Sequence, residues 1–306
     1  MRYVLGIDGG GTKTTGLIAD ESGKTMAEAT VGASNPNIVS TTELVNTFSK
    51  LKLKLEVTNQ EAFAKIDRLY AGISGTGHPS AQKKVHDILS DVMPAGVSIT
   101  VDNDAIIALY SGTLGKPGIV QISGTGSITY GINHKGKRDR VGGWGHLIGE
   151  KGSGYGLGSD ALQAVFAAHD QLGPSTLLEK TVPAFFDEQT PPDLIPLIYR
   201  SSSPKETIAS LGRLVMEAAD RNDSVATDIL YQNGYDIGQC IKTLASKLFE
   251  KNTPIPVVLA GGLFNRVDLF QQAIEDGTED YLPSIQLIKP EEPPVHGAVM
   301  AALMRD

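Results

Sequence analysis

Residues 3–20 have the sequence Tyr3-Val-Leu-Gly-Ile-Asp-Gly-Gly-Gly-Thr-Lys-Thr-Thr-Gly-Leu-Ile-Ala-Asp20. The apolar run from Val4 to Ile7 predicts a buried strand, and the run from Gly16 to Ala19 predicts its hairpin partner. The β-branched residues after the glycines favour a return into the sheet over the helix that a P-loop requires. This stretch therefore predicts a strand, a glycine turn and a second strand.

The turn between these two strands has the composition of an anion-binding site. Gly9, Gly10 and Gly11 lack side chains, so their N–H groups can approach a phosphate closely, and Thr12 adds a hydroxyl donor. Asp8, at the end of the first strand, is suited to hold a cation or its water shell. The pattern favours a nucleotide phosphate with Mg²⁺. The alternative is a tight hairpin whose aspartate only caps the turn.

Length and composition exclude several classes of protein. With 306 residues, 41% of them hydrophobic, the chain can form two lobes with a cleft. The net charge of −8 argues against a nucleic-acid partner. The single cysteine, Cys240, excludes intramolecular disulfides and a four-thiolate zinc site. The sequence contains no secretory signal and no apolar span of membrane length, so we expect a cytoplasmic protein with no membrane partner.

The first hairpin pattern occurs a second time. Residues 120–133, Val-Gln-Ile-Ser-Gly-Thr-Gly-Ser-Ile-Thr-Tyr-Gly-Ile-Asn, again predict a strand, a turn of small residues and a strand, followed by a glycine turn and a third strand. We interpret this as a duplicated fold, although a chance likeness of two glycine-rich hairpins is the alternative. The predicted lobes are 1–115 and 116–306, with a helical insertion at about 159–252.

A glycine-rich stretch lies in the second half of the chain. Residues 142–158 contain eight glycines, which predicts a structured loop rather than a helix. Trp144 between glycines is suited to pack on a sugar ring or a purine, with burial in the core as an equal alternative. Glu150 has a carboxylate that can accept hydrogen bonds from sugar hydroxyls.

A second group of carboxylates follows a predicted strand, in Val101-Asp-Asn-Asp-Ala105. A kinase must orient a hydroxyl in line with the γ-phosphate and accept its proton, which a fixed aspartate can do. We assign that role to Asp104. Asp102 and Asn103 can instead cap the following helix, and the residues alone do not decide whether Asp102 or Asp104 is the base.

These segments together resemble the BadF/BadG/BcrA/BcrD ATPase family, and especially its N-acetylglucosamine kinase branch. The resemblance implies an α/β fold of the actin/hexokinase/Hsp70 superfamily, with two ribonuclease-H-like lobes and a central cleft. The matching motifs are Ile7-Asp-Gly-Gly-Gly-Thr-Lys-Thr14, Asn103-Asp-Ala105, Ile122-Ser-Gly-Thr-Gly-Ser127, Gly142-Gly-Trp-Gly-His146, Gly149-Glu-Lys-Gly-Ser153 and Leu259-Ala-Gly-Gly-Leu263.

The resemblance implies a homodimeric, Mg²⁺- and ATP-dependent kinase that phosphorylates O6 of N-acetylglucosamine or N-acetylmuramate, in amino-sugar metabolism such as cell-wall recycling. A glucosamine kinase remains an alternative. An ATPase activator of a 2-hydroxyacyl-CoA dehydratase is disfavoured, because its shared iron–sulfur cluster needs two cysteines per chain. The implied residues are Asp104 as base; Gly10, Gly11, Thr12, Lys13, Gly124, Thr125 and Gly126 for ATP phosphates; Gly261 and Gly262 beside adenine; Asn35, Asp104, Gly143, Trp144, Gly145 and Glu150 for the sugar; and Asp8 for the metal.

Overall fold

A computed structural model describes residues 2–281 and 284–304, and its described part contains two five-stranded sheets with helices around them. Along the first sheet the strands follow the order β3-β2-β1-β4-β5, and along the second β10-β9-β6-β7-β8. The strands are β1 (Tyr3–Gly9), β2 (Thr14–Asp20), β3 (Thr25–Val31), β4 (Ile66–Ile73), β5 (Ser98–Asp102), β6 (Gly118–Ser123), β7 (Ser127–Ile132), β8 (Arg138–Gly142), β9 (Ile255–Ala260) and β10 (Ile285–Ile288).

The two sheets have the same architecture. In each, three strands consecutive in the chain lie side by side, and the two later strands are added next to the first of the three. The repeated order confirms the duplication predicted from the two hairpins, and with it the α/β fold class with two similar units. In the first sheet β1 pairs antiparallel with β2 and parallel with β4, and β4 pairs parallel with β5.

Twelve α-helices surround these sheets in the described residues, and none of them is long and apolar enough to cross a membrane. Short 3₁₀ segments lie at Pro191–Asp193, Gly262–Leu269 and Glu279–Tyr281. The helices are α1 (Thr41–Thr58), α2 (Gln60–Ala64), α3 (Pro79–Val92), α4 (Asp104–Thr113), α5 (Gly154–His169), α6 (Leu178–Phe185), α7 (Leu194–Tyr199), α8 (Pro204–Ala209), α9 (Gly212–Ala219), α10 (Ser224–Leu248), α11 (Gln271–Gly277) and α12 (Pro294–Leu303).

The chain divides into two units, and the first contains both ends of the described chain. Unit 1 extends to Val120 and resumes at Ile288, whereas unit 2 is Gln121–Leu287. Helix α12, which the predicted lobes place in the second lobe, belongs to unit 1 because it returns to pack on β1 and α4. Small residues allow this contact: a Cβ on Gly297 would lie 1.9 Å from the Ile107 carbonyl oxygen, and one on Gly6 would lie 2.7 Å from the Val299 nitrogen.

The glycine-rich stretch is not loop throughout, which corrects the prediction for residues 142–158. Helix α5 begins at Gly154, and Ser153 caps it by accepting a 2.9 Å hydrogen bond from the Gly156 N–H. The helical glycines serve packing rather than flexibility, since a Cβ on Gly158 would lie 1.8 Å from the Ile208 carbonyl oxygen. Helix α8 therefore lies directly against the backbone of α5.

Candidate active site

The carboxyl ends of three parallel strands form one edge of the first sheet. Across β1, β4 and β5, Asp8 is in register with Gly72, and Gly72 is in register with Asp102. Directly after β4, the Ser74 N–H donates a 2.7 Å hydrogen bond to the Gly9 carbonyl. Ligands of open α/β sheets bind at such carboxyl ends, which makes this edge the candidate site of unit 1.

Asp104 is the first residue of α4 and lies at this edge. Asn103 caps the helix, accepting a 3.2 Å hydrogen bond from the Ile106 N–H. Burial raises the pKa of the Asp104 carboxyl, and hydrogen bonds from the Ser74 hydroxyl and from the N–H groups of Asp104 and Ala105 oppose the rise. A carboxylate held in place with a raised pKa has the properties of a general base.

Asp8 is the second carboxylate at this edge. Burial, and to a smaller extent the neighbouring Asp104, raise its pKa to about 6, and the ammonium of Lys13 opposes this rise. Two carboxylates that repel each other in a partly buried place are typical of sites that bind a cation or move a proton.

Asp102 has a different environment from Asp104. Its side chain is buried, and Oδ2 accepts a 2.8 Å hydrogen bond from the Tyr70 hydroxyl. Its Oδ1 accepts a 2.8 Å bond from the Asn103 N–H. Both oxygens therefore already have protein partners, so this residue holds the end of β5. Of this trio Asn103 caps α4, and Asp104 is less buried than Asp102.

The first hairpin tip, residues 10–13, closes through a 2.9 Å hydrogen bond from the Gly10 N–H to the Lys13 carbonyl. Gly11, Thr12 and Lys13 are exposed. Among the described residues, the N–H groups of Gly11 and Thr12 form no hydrogen bond with another part of the chain, so they are available to an anion. The Gly10 N–H is not available to an anion, because it already donates to the Lys13 carbonyl.

Glycine is required in this hairpin for space rather than for an unusual backbone angle. In the described chain, Gly9, Gly10 and Gly11 are absent from the residues with positive φ. A Cβ on Gly9 would lie 2.2 Å from the Ser34 Oγ and 2.5 Å from the Ile73 Cδ1. The strand end can therefore approach its neighbours only because Gly9 has no side chain.

Asn35 lies beside the same tip. Its N–H donates a 3.2 Å hydrogen bond to the Gly10 carbonyl, and its Oδ1 accepts a 2.9 Å bond from the Asn37 N–H. A Cβ on Gly75 would lie 2.3 Å from that Oδ1. The loops after β3 and β4 thus bring Asn35 to the edge that carries Asp8 and Asp104.

The second hairpin tip, Gly124–Gly126, lies on the N-terminus of α5. The Gly124 N–H donates a 2.9 Å bond to the Gly126 carbonyl and closes the turn. Gly154 and Tyr155, in the first turn of α5, donate bonds of 2.7 and 3.1 Å to the carbonyls of Gly124 and Thr125. This tip is therefore held by a helix, and Thr125 remains exposed.

Glu150 lies against the second tip, in unit 2. Its side chain is only 6% exposed, and the nearest cation is the Lys205 ammonium, 3.5 Å from Oε2. A Cβ on Gly126 would lie 2.7 Å from the same oxygen. The carboxylate therefore lies over the backbone of a residue predicted to contact ATP phosphates.

Trp144 is exposed, which excludes the alternative of burial in the core. Its side chain is 61% accessible, and the Arg140 guanidinium lies 4.3 Å from the ring centroid. The same guanidinium donates a 3.0 Å hydrogen bond to the Gly143 carbonyl. Gly143 and Gly145 have φ of 69° and 97°, angles that favour glycine. The loop formed by Gly143, Trp144 and Gly145 thus leaves the aromatic ring of Trp144 exposed to solvent.

The turn after β9 lies next to the second hairpin. Gly261 has φ of 102°, and a Cβ there would lie 2.3 Å from the carbonyl oxygen of Ser123, the residue before Gly124. Gly262 begins the following 3₁₀ segment, and nothing lies within 4 Å of a Cβ built on it. The residues predicted for adenine and for phosphate are therefore neighbours within unit 2.

The residues around Asp8 fit a metal ion that arrives with the nucleotide. Within the described ranges no group of three or more His, Cys, Asp or Glu side chains is placed to hold an ion by itself. Mg²⁺ usually keeps several waters and uses one or two carboxylates together with substrate phosphates. Asp8 provides one carboxylate at the hairpin, and an adjacent cation would lower its raised pKa.

Comparison with known proteins gives the same assignment along the whole chain. The model of the BadF/BadG/BcrA/BcrD ATPase family matches residues 5–302. The chain belongs to this ATPase family. It is 33% identical over 302 residues to the N-acetylmuramic acid/N-acetylglucosamine kinase of Clostridium acetobutylicum, covering 99% of this chain and 98% of that protein. The resemblance inferred from the motifs is confirmed.

Two further relatives support this membership. The chain is 31% identical over 309 residues to the N-acetyl-D-glucosamine kinase of Dictyostelium discoideum, covering 98% of this chain and 97% of that protein. A crystal structure of a Chromobacterium violaceum protein, provisionally named an N-acetylglucosamine kinase, superimposes with a TM-score of 0.74 at 26% identity over 99% of both chains. The relatives are thus similar in length as well as in fold.

Within this family member, the predicted residues fall into two groups. Unit 1 holds Asp8, the first tip, Asn35 and Asp104, and unit 2 holds the second tip, the Trp144 loop, Glu150 and the Gly261 turn. Sequence analysis missed Ser74, although it follows a predicted strand in Ser74-Gly-Thr-Gly77. It also missed Lys205, which pairs with Glu150, and Asn233, which accepts a 2.9 Å hydrogen bond from the Gly152 N–H. Each is at least 55 residues from its partner and carries no local signal.

Proposed function

We propose that this protein is an ATP-dependent amino-sugar kinase that transfers the γ-phosphoryl group of ATP to O6 of N-acetylglucosamine, and that it also accepts N-acetylmuramate. The observation that carries the proposal is Asp104, a partly buried carboxylate of raised pKa, held by Ser74 and by helix α4 beside a glycine-tipped hairpin. Full-length relatives named as kinases of these sugars support the choice of substrate.

In the proposed reaction Asp104 accepts the proton of the attacking sugar hydroxyl. The sugar oxygen bonds to the γ-phosphorus while the bond to the bridging β–γ oxygen breaks, and ADP leaves. The free N–H groups of Gly11 and Thr12 stabilise phosphate charge, and Thr125 contributes at the second tip. Asp8 would hold the Mg²⁺ of the nucleotide or its water shell, and that ion would neutralise phosphate charge.

The sugar side of the proposal assigns Asn35, the Trp144 loop and Glu150 to the amino sugar. Glu150 is assigned to the sugar because a carboxylate can accept hydrogen bonds from sugar hydroxyls. Trp144 offers an exposed ring to the sugar face. A homodimer in the cytoplasm, serving amino-sugar metabolism such as cell-wall recycling, completes the proposal.

The test is a coupled assay of ADP release with Mg·ATP and four sugars: N-acetylglucosamine, N-acetylmuramate, glucosamine and glucose. We expect the highest kcat/KM with N-acetylglucosamine, measurable turnover with N-acetylmuramate, and a product phosphorylated at O6 by NMR. A clear preference for glucosamine would make the protein a glucosamine kinase. No sugar-dependent ADP release with any of the four would overturn the proposal.

A further inference from the structure

Glu150 is an acidic residue close to the second hairpin tip, where the proposed function binds the negatively charged phosphates of ATP. Its Oε2 is buried and accepts no hydrogen bond among the described residues. The carboxylate lies over Gly126 and fits there because glycine has no side chain. A phosphate tail bound at the second tip would therefore lie close to an anion, and that repulsion requires a compensating cation.

Lys205 is the cation that the fold places there. Its ammonium lies 3.5 Å from the Glu150 Oε2, and its side chain is 29% exposed, so it remains open to a ligand. Lys205 lies in α8, and the other end of this helix rests on α5: a Cβ on Gly154 would lie 3.2 Å from the Ala209 carbonyl oxygen. Gly154 in turn donates to Gly124 in the second tip. These contacts connect α8, which carries Lys205, to that tip through α5.

We propose that Lys205 is a nucleotide-binding residue that contacts the phosphate tail of ATP at the second hairpin tip. Before nucleotide binds, its ammonium pairs with Glu150; with nucleotide present, it donates hydrogen bonds to phosphate oxygens. A lysine ammonium has three donors and is a common ligand of phosphate, so it can serve both anions. The inference rests on the proposed function only in taking the second tip as a phosphate site.

The experiment is calorimetric titration of adenosine, AMP, ADP and Mg·ATP into the full chain without sugar. Lys205→Met should weaken ADP and ATP binding about tenfold or more, because a charge-assisted hydrogen bond is lost, and should leave adenosine within twofold of wild type. Lys205→Arg should restore part of the ADP affinity. Glu150→Gln should leave ADP binding unchanged or tighten it, because it releases the ammonium and removes an anion.

Two controls separate binding from folding. Lys180→Met removes the same charge from an exposed position of α6 in the same unit and should bind every ligand as wild type does. The double variant Glu150→Gln with Lys205→Met leaves no unpaired charge at the buried site and should fold even if Lys205→Met alone does not. It should still show the loss that is specific for phosphate.

The outcomes distinguish this inference from the proposed function. Wild-type protein that binds neither ADP nor ATP would contradict the proposed function itself. Normal wild-type binding, with Lys205→Met and the double variant binding ADP as tightly as wild type, would overturn only the role of Lys205. An equal loss of adenosine and ADP binding would also overturn it, because a purely structural role of the ion pair predicts that result.

Discussion

The two hairpins occupy equivalent positions in the two sheets but end in different surroundings. The first follows Asp8 and lies beside Asp104, so its tip adjoins two carboxylates of raised pKa. In the second, Ser123 takes the place of Asp8, and the tip is bonded to the first turn of α5. The duplicated framework therefore has two partly buried carboxylates beside one tip and a helix that holds the other tip.

The difference extends to why each hairpin contains glycine. Gly9 is packed so closely that any side chain would collide with Ser34 and Ile73, whereas nothing lies within 4 Å of a Cβ built on Gly124. The first glycine is thus needed by the fold. The second is dispensable for the fold, and its open space is available for a ligand.

Replacing Asp104 by Asn should give the largest effect. The variant keeps the size and the helix position but cannot take a proton, so kcat should fall by about 10²–10⁴-fold with ADP affinity unchanged. Steady-state kinetics with N-acetylglucosamine and ADP titration measure both quantities. Turnover within a few fold of wild type would remove Asp104 as the base.

Asp102→Asn is the matched control for that variant. Its carboxylate holds Tyr70 and the Asn103 N–H, so the substitution should lower the free energy of unfolding by about 1–3 kcal/mol through disturbed buried hydrogen bonds. Its kcat should fall far less than that of Asp104→Asn. The opposite ranking of the two variants in kcat would assign the base to Asp102.

Alanine at the two hairpin glycines tests the comparison directly. Gly9→Ala should lower the free energy of unfolding by about 1–3 kcal/mol because the added methyl overpacks the strand end. Gly124→Ala should unfold like wild type in urea, yet raise the KM for ATP about tenfold or more because the methyl displaces the phosphate tail. Wild-type kinetics in Gly124→Ala would argue against phosphate binding at the second tip.

The anchoring of the second tip can be weakened from a distance at Asn233. This fully buried residue of α10 accepts a 2.9 Å bond from the Gly152 N–H and donates a 2.8 Å bond to Asp160. Asn233→Ala should lower the free energy of unfolding by about 1–3 kcal/mol, because the buried Gly152 N–H and the partly buried Asp160 carboxylate each lose a hydrogen bond. It should also raise the KM for ATP, since Gly152 leads into α5 and the tip.

Gln232→Ala, at the exposed neighbouring position of α10, is the control for Asn233→Ala and should change neither quantity. If Asn233→Ala loses stability but keeps the wild-type KM for ATP, α10 supports the fold without positioning the tip.

The sequence was sufficient for features that are local in the chain. Alternating apolar residues and glycine turns predicted the hairpins and the third strand of each sheet, and the likeness of residues 5–18 to 120–133 predicted the repeated strand order. The position of Asp104 between a strand and a helix was also predicted. Each of these signals lies within a few residues of the feature that it predicts.

Features that depend on distant parts of the chain were not predictable in this way. The return of α12 to unit 1 depends on packing against Gly6 and Ile107, and the ion pair of Glu150 depends on a lysine 55 residues later. The glycines of α5 predicted a loop because the pattern does not reveal that α8 packs on them. Close backbone contacts between helices override helix propensity there.

The smallest effects are expected for the carboxylate pair of unit 1, Asp8 and Asp104. The pKa of Asp8 reports directly on the charges around this pair. Asp8 should titrate at a pKa of about 6 in the free protein, observed through its carboxyl ¹³C shift. Asp104→Asn removes a repelling charge and should lower the pKa of Asp8, whereas Lys13→Met removes an attracting one and should raise it. Shifts of the same sign in the two charge variants would contradict the pairing, since the two neighbours carry opposite charges.

The same raised pKa predicts how the stability depends on pH. Because the folded protein holds the Asp8 proton more tightly than the unfolded chain does, Asp8 makes the free energy of unfolding fall as the pH rises from about 4 to 6, and Asp8→Asn should remove that contribution.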